Sequence, residues 1–257
     1  MARLAALSGH GLVLLILTLA TQIGGIAWLI AAVGGRRLPG RLTLFTLAYA
    51  ALWLGATIAA PALGRQPLPC LGPGPLVMQS PLYCVLNRHY ARPETVDVLE
   101  EAAAAIARAH PGTKTLILDA GFPFLDGFPM VPHLSHRDGL AADIAFWYRD
   151  DTGFLPGRTR SPIGYFAFEA GPTDCPPRWL TLRWDLAWLQ PLWPDWQIEP
   201  ARLRTALRHL TADPRVSRLL LEPHLTASLG LKHPKIRFQG CRAARHDDHI
   251  HLQLHRG

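Results

Sequence analysis

Two long apolar runs open the chain. Gly11–Val33 and Leu42–Leu63 span 23 and 22 residues and hold no charged side chain. About 20 such residues suffice for a helix to cross a bilayer while satisfying its own backbone hydrogen bonds. The pattern therefore predicts a hairpin of two transmembrane helices, about residues 11–33 and 42–63, within an anchor spanning residues 1–65. The link between them, "GGRRLPGR", carries Arg36, Arg37 and Arg41. Positive charge in a short loop favours the cytoplasmic side. Both ends of the hairpin, and everything after it, would then lie on the opposite face of the membrane. A cleaved signal peptide explains one apolar run but not two.

Beyond residue 65 the pattern becomes that of a globular domain. "PLPCLGPGPLVMQSP" (67–81) reads as a surface linker, part of a lead-in over 66–90. "RPETVDVLEEAAAAIARAH" (92–110) predicts a helix, with Pro93 at its first position, acidic residues in its first turns and Pro111-Gly112 to stop it. Strands are expected at "TLILDA" (115–120), "AADIAFWY" (141–148), "IGYFAFEA" (163–170), "RVSRLLL" (215–221) and "HIHLQL" (249–254). Helices are expected at 200–212 and, shorter, at "EPHLTASLG" (222–230). The order implies an α+β domain over 91–257 with a largely antiparallel sheet and flanking helices.

Charge and cysteine content refine this picture. The net charge of +7 at first suggests nucleic acid. Five of the arginines belong to the anchor, however, and the remainder holds 21 basic against 19 acidic residues with no block of like charge. Nucleic-acid binding is not expected. Cys70, Cys84, Cys175 and Cys241 all follow residue 65 and form no C-x-x-C pair, so they read as disulfides. Of the three connectivities, Cys70–Cys84 with Cys175–Cys241 is preferred because its first pair closes a short loop.

The chemistry concentrates in two places. In "HDDHIHLQLH" a strand would put His249, His251, Gln253 and His255 on one face and Ile250, Leu252 and Leu254 on the other. Upstream, "PHLSHRDGLAADIAF" supplies His133 and His136 in a loop and Asp143 early in a strand. Two imidazoles and a carboxylate from separate elements make a common catalytic zinc set, leaving one tetrahedral position for water. His224 reads as a surface residue. Trp179, Trp184, Trp188, Trp193 and Trp196 read as packing or bilayer contact, or as a groove for glycan or peptide. No H-E-x-x-H, G-x-S-x-G or P-loop pattern occurs.

"HRDGLAAD" fits H-x-x-G-x-A-x-D at His136, Gly139, Ala141 and Asp143. With the later "HDDHIHLQL" it resembles the lysostaphin and D-alanyl-D-alanine metallopeptidase group, and within it the penicillin-insensitive murein endopeptidases. The likeness covers about 25 residues in two blocks. It implies one Zn2+ per chain on His136, Asp143 and His251, with His249 as the catalytic histidine and Asp248 as the alternative base. It further implies that His133, His246 and Asp247 bind substrate or hydrogen-bond the ligands. The implied activity is hydrolysis of peptide cross-links in peptidoglycan by attack of zinc-bound water. Combined with the hairpin, it places the protein in the bacterial inner membrane, in contact with its lipid, with both termini and the catalytic domain in the periplasm. Two rivals remain: a non-catalytic wall-binding or regulatory protein of the same fold, and a zinc amidase or carboxypeptidase on the same polymer.

Overall fold

The computed structural model describes residues 2–35, 37–176 and 180–256; Arg36 of the basic link and Trp179 of the tryptophan cluster lie outside them. The first apolar run is not one helix. Ala2–Thr21 (α1) and Gly24–Gly34 (α2) meet at a break where Gln22 takes a φ of 68°. Their apolar stretches, Ser8–Thr21 and Gly24–Gly34, rise only about 1.5 Å per residue and fall short of a hydrocarbon core about 30 Å thick. Leu38–Ala59 (α3) runs into a 3-10 turn at Ala60–Leu63. Among the described residues, Leu38–Leu63 is the one helix long and apolar enough to cross a membrane. This overturns the two-helix transmembrane hairpin. The two-pass topology built on it, with both termini and the later domain on the periplasmic side, falls with it.

The break has a physical cause. Thr21 Oγ1 accepts a hydrogen bond from Gly24 N at 2.8 Å, capping α2 at its start. Asn87 Nδ2 donates to Thr21 O at 3.3 Å, and Gln22 Oε1 accepts from Phe124 N at 3.1 Å. A polar vertex is thus docked onto the globular domain. A Cβ on Gly25 would stand 1.9 Å from Thr18 Oγ1, so the glycine lets α2 fold back against α1. Helix α3 is docked too: Tyr49 and Trp53 donate to the carbonyls of Val85 and Cys84 at the end of Pro81–Val85 (α4).

Among the described residues, six strands form the main sheet: Leu76–Met78 (β1), Thr115–Ile117 (β2), Ala141–Ala145 (β3), Val216–Leu220 (β4), Ile236–Arg237 (β5) and His249–Leu254 (β6). Their order is β5-β4-β6-β3-β2-β1. The central pairings are antiparallel, but β1 runs parallel to β2 and β5 parallel to β4. The fold is therefore α+β, with a sheet that is antiparallel at its centre, parallel at its two edges and flanked by helices. Pro93–Ala109 (α5) buries Val96, Leu99, Ala103 and Ile106, and Pro200–Ala212 (α6) buries Leu203, Leu207 and Leu210. These two helices pack on each other and on the sheet. They meet a core that includes Ala142 and Ile144 of β3 and Ile250, Leu252 and Leu254 of β6. The alternate residues of β3 and β6 are left to face the site.

Two local expectations fail. Residues 163–170 form no strand, because Gly164 and Phe166 take φ values of 79° and 67° that interrupt an extended chain. Leu76–Met78, inside the stretch read as a surface linker, is instead the buried edge strand β1. The cysteines pair as Cys70–Cys84 and Cys175–Cys241.

Candidate metal centre

The antiparallel register between β3 and β6 builds the site. His251 lies opposite Asp143, and His249 opposite Ala145. Directly opposed residues project from the same face, so His251 Nδ1 comes to 2.8 Å from Asp143 Oδ1. The third member arrives from a loop. His136 ends the short 3-10 turn Leu134–His136, and its Nδ1 lies 2.8 Å from Ala120 O. A carbonyl accepts only, so Nδ1 is the donor and Nε2 is the nitrogen turned towards Asp143 and His251. That Nε2 stands 3.2 Å from Asp143 Oδ1 and 3.3 Å from His251 Nδ1.

Ligands about 2.0–2.1 Å from a tetrahedral zinc lie about 3.3 Å apart. The triangle of 3.2, 3.3 and 2.8 Å is close to that figure. All three side chains are buried, and His136 Nε2 and His251 Nδ1 converge on one oxygen of Asp143. Two imidazole nitrogens and a carboxylate oxygen at these spacings are a donor set of the kind that holds a cation. The residues therefore fit a metal. Burial, opposed by Asp143, lowers the His251 pKa to about 4, which leaves the neutral imidazole that ligation needs.

Gly139 of the H-x-x-G-x-A-x-D stretch is required by its surroundings. It takes a φ of 72°, and a Cβ there would stand 2.7 Å from the Arg65 guanidinium carbon. Its carbonyl accepts from Thr95 Oγ1 at 2.9 Å and from Arg92 N at 2.9 Å. The start of α5 thereby holds the turn that leads from His136 into β3.

His249 stands beside the triangle with Nε2 at 3.6 Å from Asp143 Oδ1. Its Nδ1 lies 2.5 Å from Asp248 Oδ1, and Asp248 Oδ2 accepts from Phe166 N at 2.6 Å. Both oxygens of Asp248 are thus engaged in orienting other groups. Burial opposes charge on His249, but Asp143 and Asp248 outweigh it and raise its pKa. His246 is buried with its ring centroid 5.1 Å from that of His249 and 5.7 Å from that of His251. Burial, reinforced by those two rings, holds it well below the usual imidazole range. Asp247 does not reach the triangle: Arg245 pairs with it, Nε to Oδ1 at 3.0 Å.

His133, His136 and Asp143 also lie close enough together to hold a metal. His133 Nδ1, however, faces the other oxygen of Asp143, Oδ2, at 3.1 Å, and Asp119 Oδ2 at 3.1 Å. Hydrogen bonding to these two carboxylates raises His133 to about 10 against the opposing effect of burial. His251 Nδ1 instead faces Oδ1, so the two histidines address different oxygens of Asp143. A second cluster, Cys70, Cys84 and His89, is also compact, but both sulfurs are tied in the disulfide and are not available as ligands.

Three residues of the site were not singled out in the sequence. Tyr165 donates to Asp143 Oδ2 at 2.7 Å. Burial, with Asp143 and Asp119 adding, keeps it a neutral phenol well above its usual range. Asp119 is held by Arg88 through two hydrogen bonds of 2.5 and 2.9 Å. Burial pushes the Asp119 carboxyl up, but His133 and Arg88 outweigh it and hold it below the usual carboxylate range. A carboxylate ending the apolar run "TLILD" was the visible signal for Asp119. Tyr165 lay in a segment that read as a strand. A narrow cavity of about 60 Å³ opens beside His249, lined in part by Pro132, Phe166, Phe168, Leu182 and Trp184.

No protein-family model matches the chain, and no curated protein matches it.

Proposed function

We propose that the chain is a zinc-dependent peptidase that cuts peptide cross-links of peptidoglycan. One observation carries the reading: the converging His136, Asp143 and His251 atoms have the imidazole of a His249–Asp248 pair beside them. The likeness of "HRDGLAAD" and "HDDHIHLQL" to the murein endopeptidases names the substrate class. Two disulfides are in keeping with an oxidising environment. Helix α3 supports association with a lipid bilayer, which would bring the site close to its polymer.

His136, Asp143 and His251 would hold the ion, which supplies Lewis acidity to polarise the amide carbonyl and acidify a water. His249 Nε2 accepts the proton of the attacking water and returns it to the leaving amine. Asp248 keeps the Nδ1–H of His249 in place and stabilises the ring while it is charged, as the carboxylate of a catalytic triad does. The aromatic-lined cavity beside His249 would take one side chain of the peptide and exclude bulk water from the scissile bond.

The test incubates the zinc-loaded full chain in detergent with cross-linked peptidoglycan and identifies the products by mass spectrometry, with a chelated control. Zinc-dependent release of a defined fragment is expected, and its mass names the bond. A folded, zinc-bound protein that releases nothing sinks the reading.

A further inference from the structure

The segment Ser161–Phe168 follows a path that core packing alone does not require. Phe166 is a bulky residue in the left-handed region, with a φ of 67°. Such a conformation persists only where the surroundings over-determine it, and it is found most often at functional sites. Here three hydrogen bonds hold it. Its N–H donates to Asp248 Oδ2 at 2.6 Å, and its carbonyl accepts from Gln190 Nε2 at 3.0 Å and Trp193 Nε1 at 2.9 Å. Gln190 Oε1 also accepts from Phe168 N at 3.0 Å, so one side chain brackets the turn. On the other side, Ser161 Oγ donates to Tyr165 O at 2.6 Å. Between these clamps the Tyr165 hydroxyl reaches Asp143 Oδ2.

We propose that this loop is the positioning element of the metal centre, with Tyr165 as the positioning residue for Asp143; the inference rests on the metal-hydrolase reading above. A carboxylate that ligates through one oxygen can rotate about its terminal bond unless the other oxygen is held. Tyr165 at 2.7 Å, with His133 Nδ1 beside it at 3.1 Å, holds that oxygen and keeps Oδ1 turned toward His136 and His251. The adjacent peptide N–H does the same for Asp248, whose second oxygen orients His249. Two neighbouring residues of one turn thus set both the ligand carboxylate and the proton-transferring imidazole. Gln190 and Trp193 anchor that turn without touching either carboxylate, which assigns part of the tryptophan-rich segment a role.

The test compares full-length wild type, Tyr165→Phe and Gln190→Leu in detergent. Zinc affinity is measured by competition with a chromogenic chelator, the ligand field by the visible spectrum of the Co2+ form, and turnover on cross-linked peptidoglycan. Tyr165→Phe keeps the ring and removes only the hydroxyl. It is expected to bind zinc about 10–100-fold more weakly and to shift the Co2+ bands. Gln190→Leu frees the turn and is expected to weaken zinc binding and lower kcat together, with little change in KM. Wild-type zinc affinity and Co2+ spectrum in both variants would overturn the inference while leaving the hydrolase reading intact. A wild type that binds zinc more tightly than Tyr165→Phe yet cleaves nothing sinks the hydrolase reading alone. A wild type that binds no zinc sinks both.

Discussion

His251 stands directly across the β3–β6 pairing from Asp143, and their Nδ1 and Oδ1 atoms are 2.8 Å apart. Because the register of a buried antiparallel pair is fixed by its apolar face, the contact is built into the sheet and needs no loop closure. His136 is different, since a loop brings it in. Removing any one of the three should abolish tight zinc binding. Removing His249 should not, because its Nε2 lies outside the triangle. His136→Ala is therefore expected to lose zinc, whereas His249→Ala keeps it and loses turnover. Metal analysis after dialysis, beside an activity assay, checks both. Equal zinc content in the two variants contradicts the assignment.

Asp248 is the nearest partner of His249 Nδ1. Asp248→Asn keeps the shape but disturbs the tautomer and the charge that stabilise the protonated ring. The expected outcome is a fall in kcat of about 10²–10⁴-fold, typical of lost general acid–base assistance, with zinc content unchanged. Steady-state kinetics beside metal analysis decides it.

Arg88 and Asp119 form a buried pair, with Nε to Oδ1 at 2.5 Å. Removing Arg88 takes two hydrogen bonds from a carboxylate away from water and leaves it with His133 Nδ1 at 3.1 Å. Arg88→Met is expected to destabilise the domain by about 3–5 kcal/mol. Denaturant titration measures this, and a loss below about 1 kcal/mol, the scale of an exposed pair, would refute it.

His89 is buried, stacks on Trp53 at 6.4 Å between centroids, and burial lowers its pKa from 6.5 to about 4. The folded protein therefore binds this proton more weakly than the unfolded chain does. Stability from this group is fully present above pH 6.5 and is lost as pH falls towards 4, with a limiting slope of about 1.4 kcal/mol per pH unit. His89→Phe removes the titration while filling the space. Wild type minus variant stability, followed from pH 7 to pH 4, is expected to decline, and a flat difference excludes His89 as the cause.

The disulfides close loops of 14 and 66 residues. Loop-closure entropy values these at about 3 and 4 kcal/mol respectively. Cys175→Ala/Cys241→Ala is expected to lower stability more than Cys70→Ala/Cys84→Ala, read from chemical denaturation of each variant. The reverse order would show that native-state contacts, rather than chain entropy, set the contributions.

What the sequence determined by itself is whatever depends on local periodicity. Alternation along "HIHLQL" dictated that His249 and His251 would share a face and that Ile250, Leu252 and Leu254 would enter the core, as they do. The proline, the acidic first turn and the stop signals around 93–109 specified α5. Contact across the chain decided the rest. A hydropathy run sums residues without regard to chain direction, so it could not register that Thr21, Gln22 and Gly25 turn the first run back on itself. The extended look of 163–170 came from β-prone side chains. Asp248, Gln190 and Trp193, all distant in sequence, hold that segment as a turn instead. Tyr165, Arg88 and Asp119 reach the site for the same reason. Their partners lie at least 22 residues away, beyond what local periodicity records, and only the packed tertiary structure supplies them.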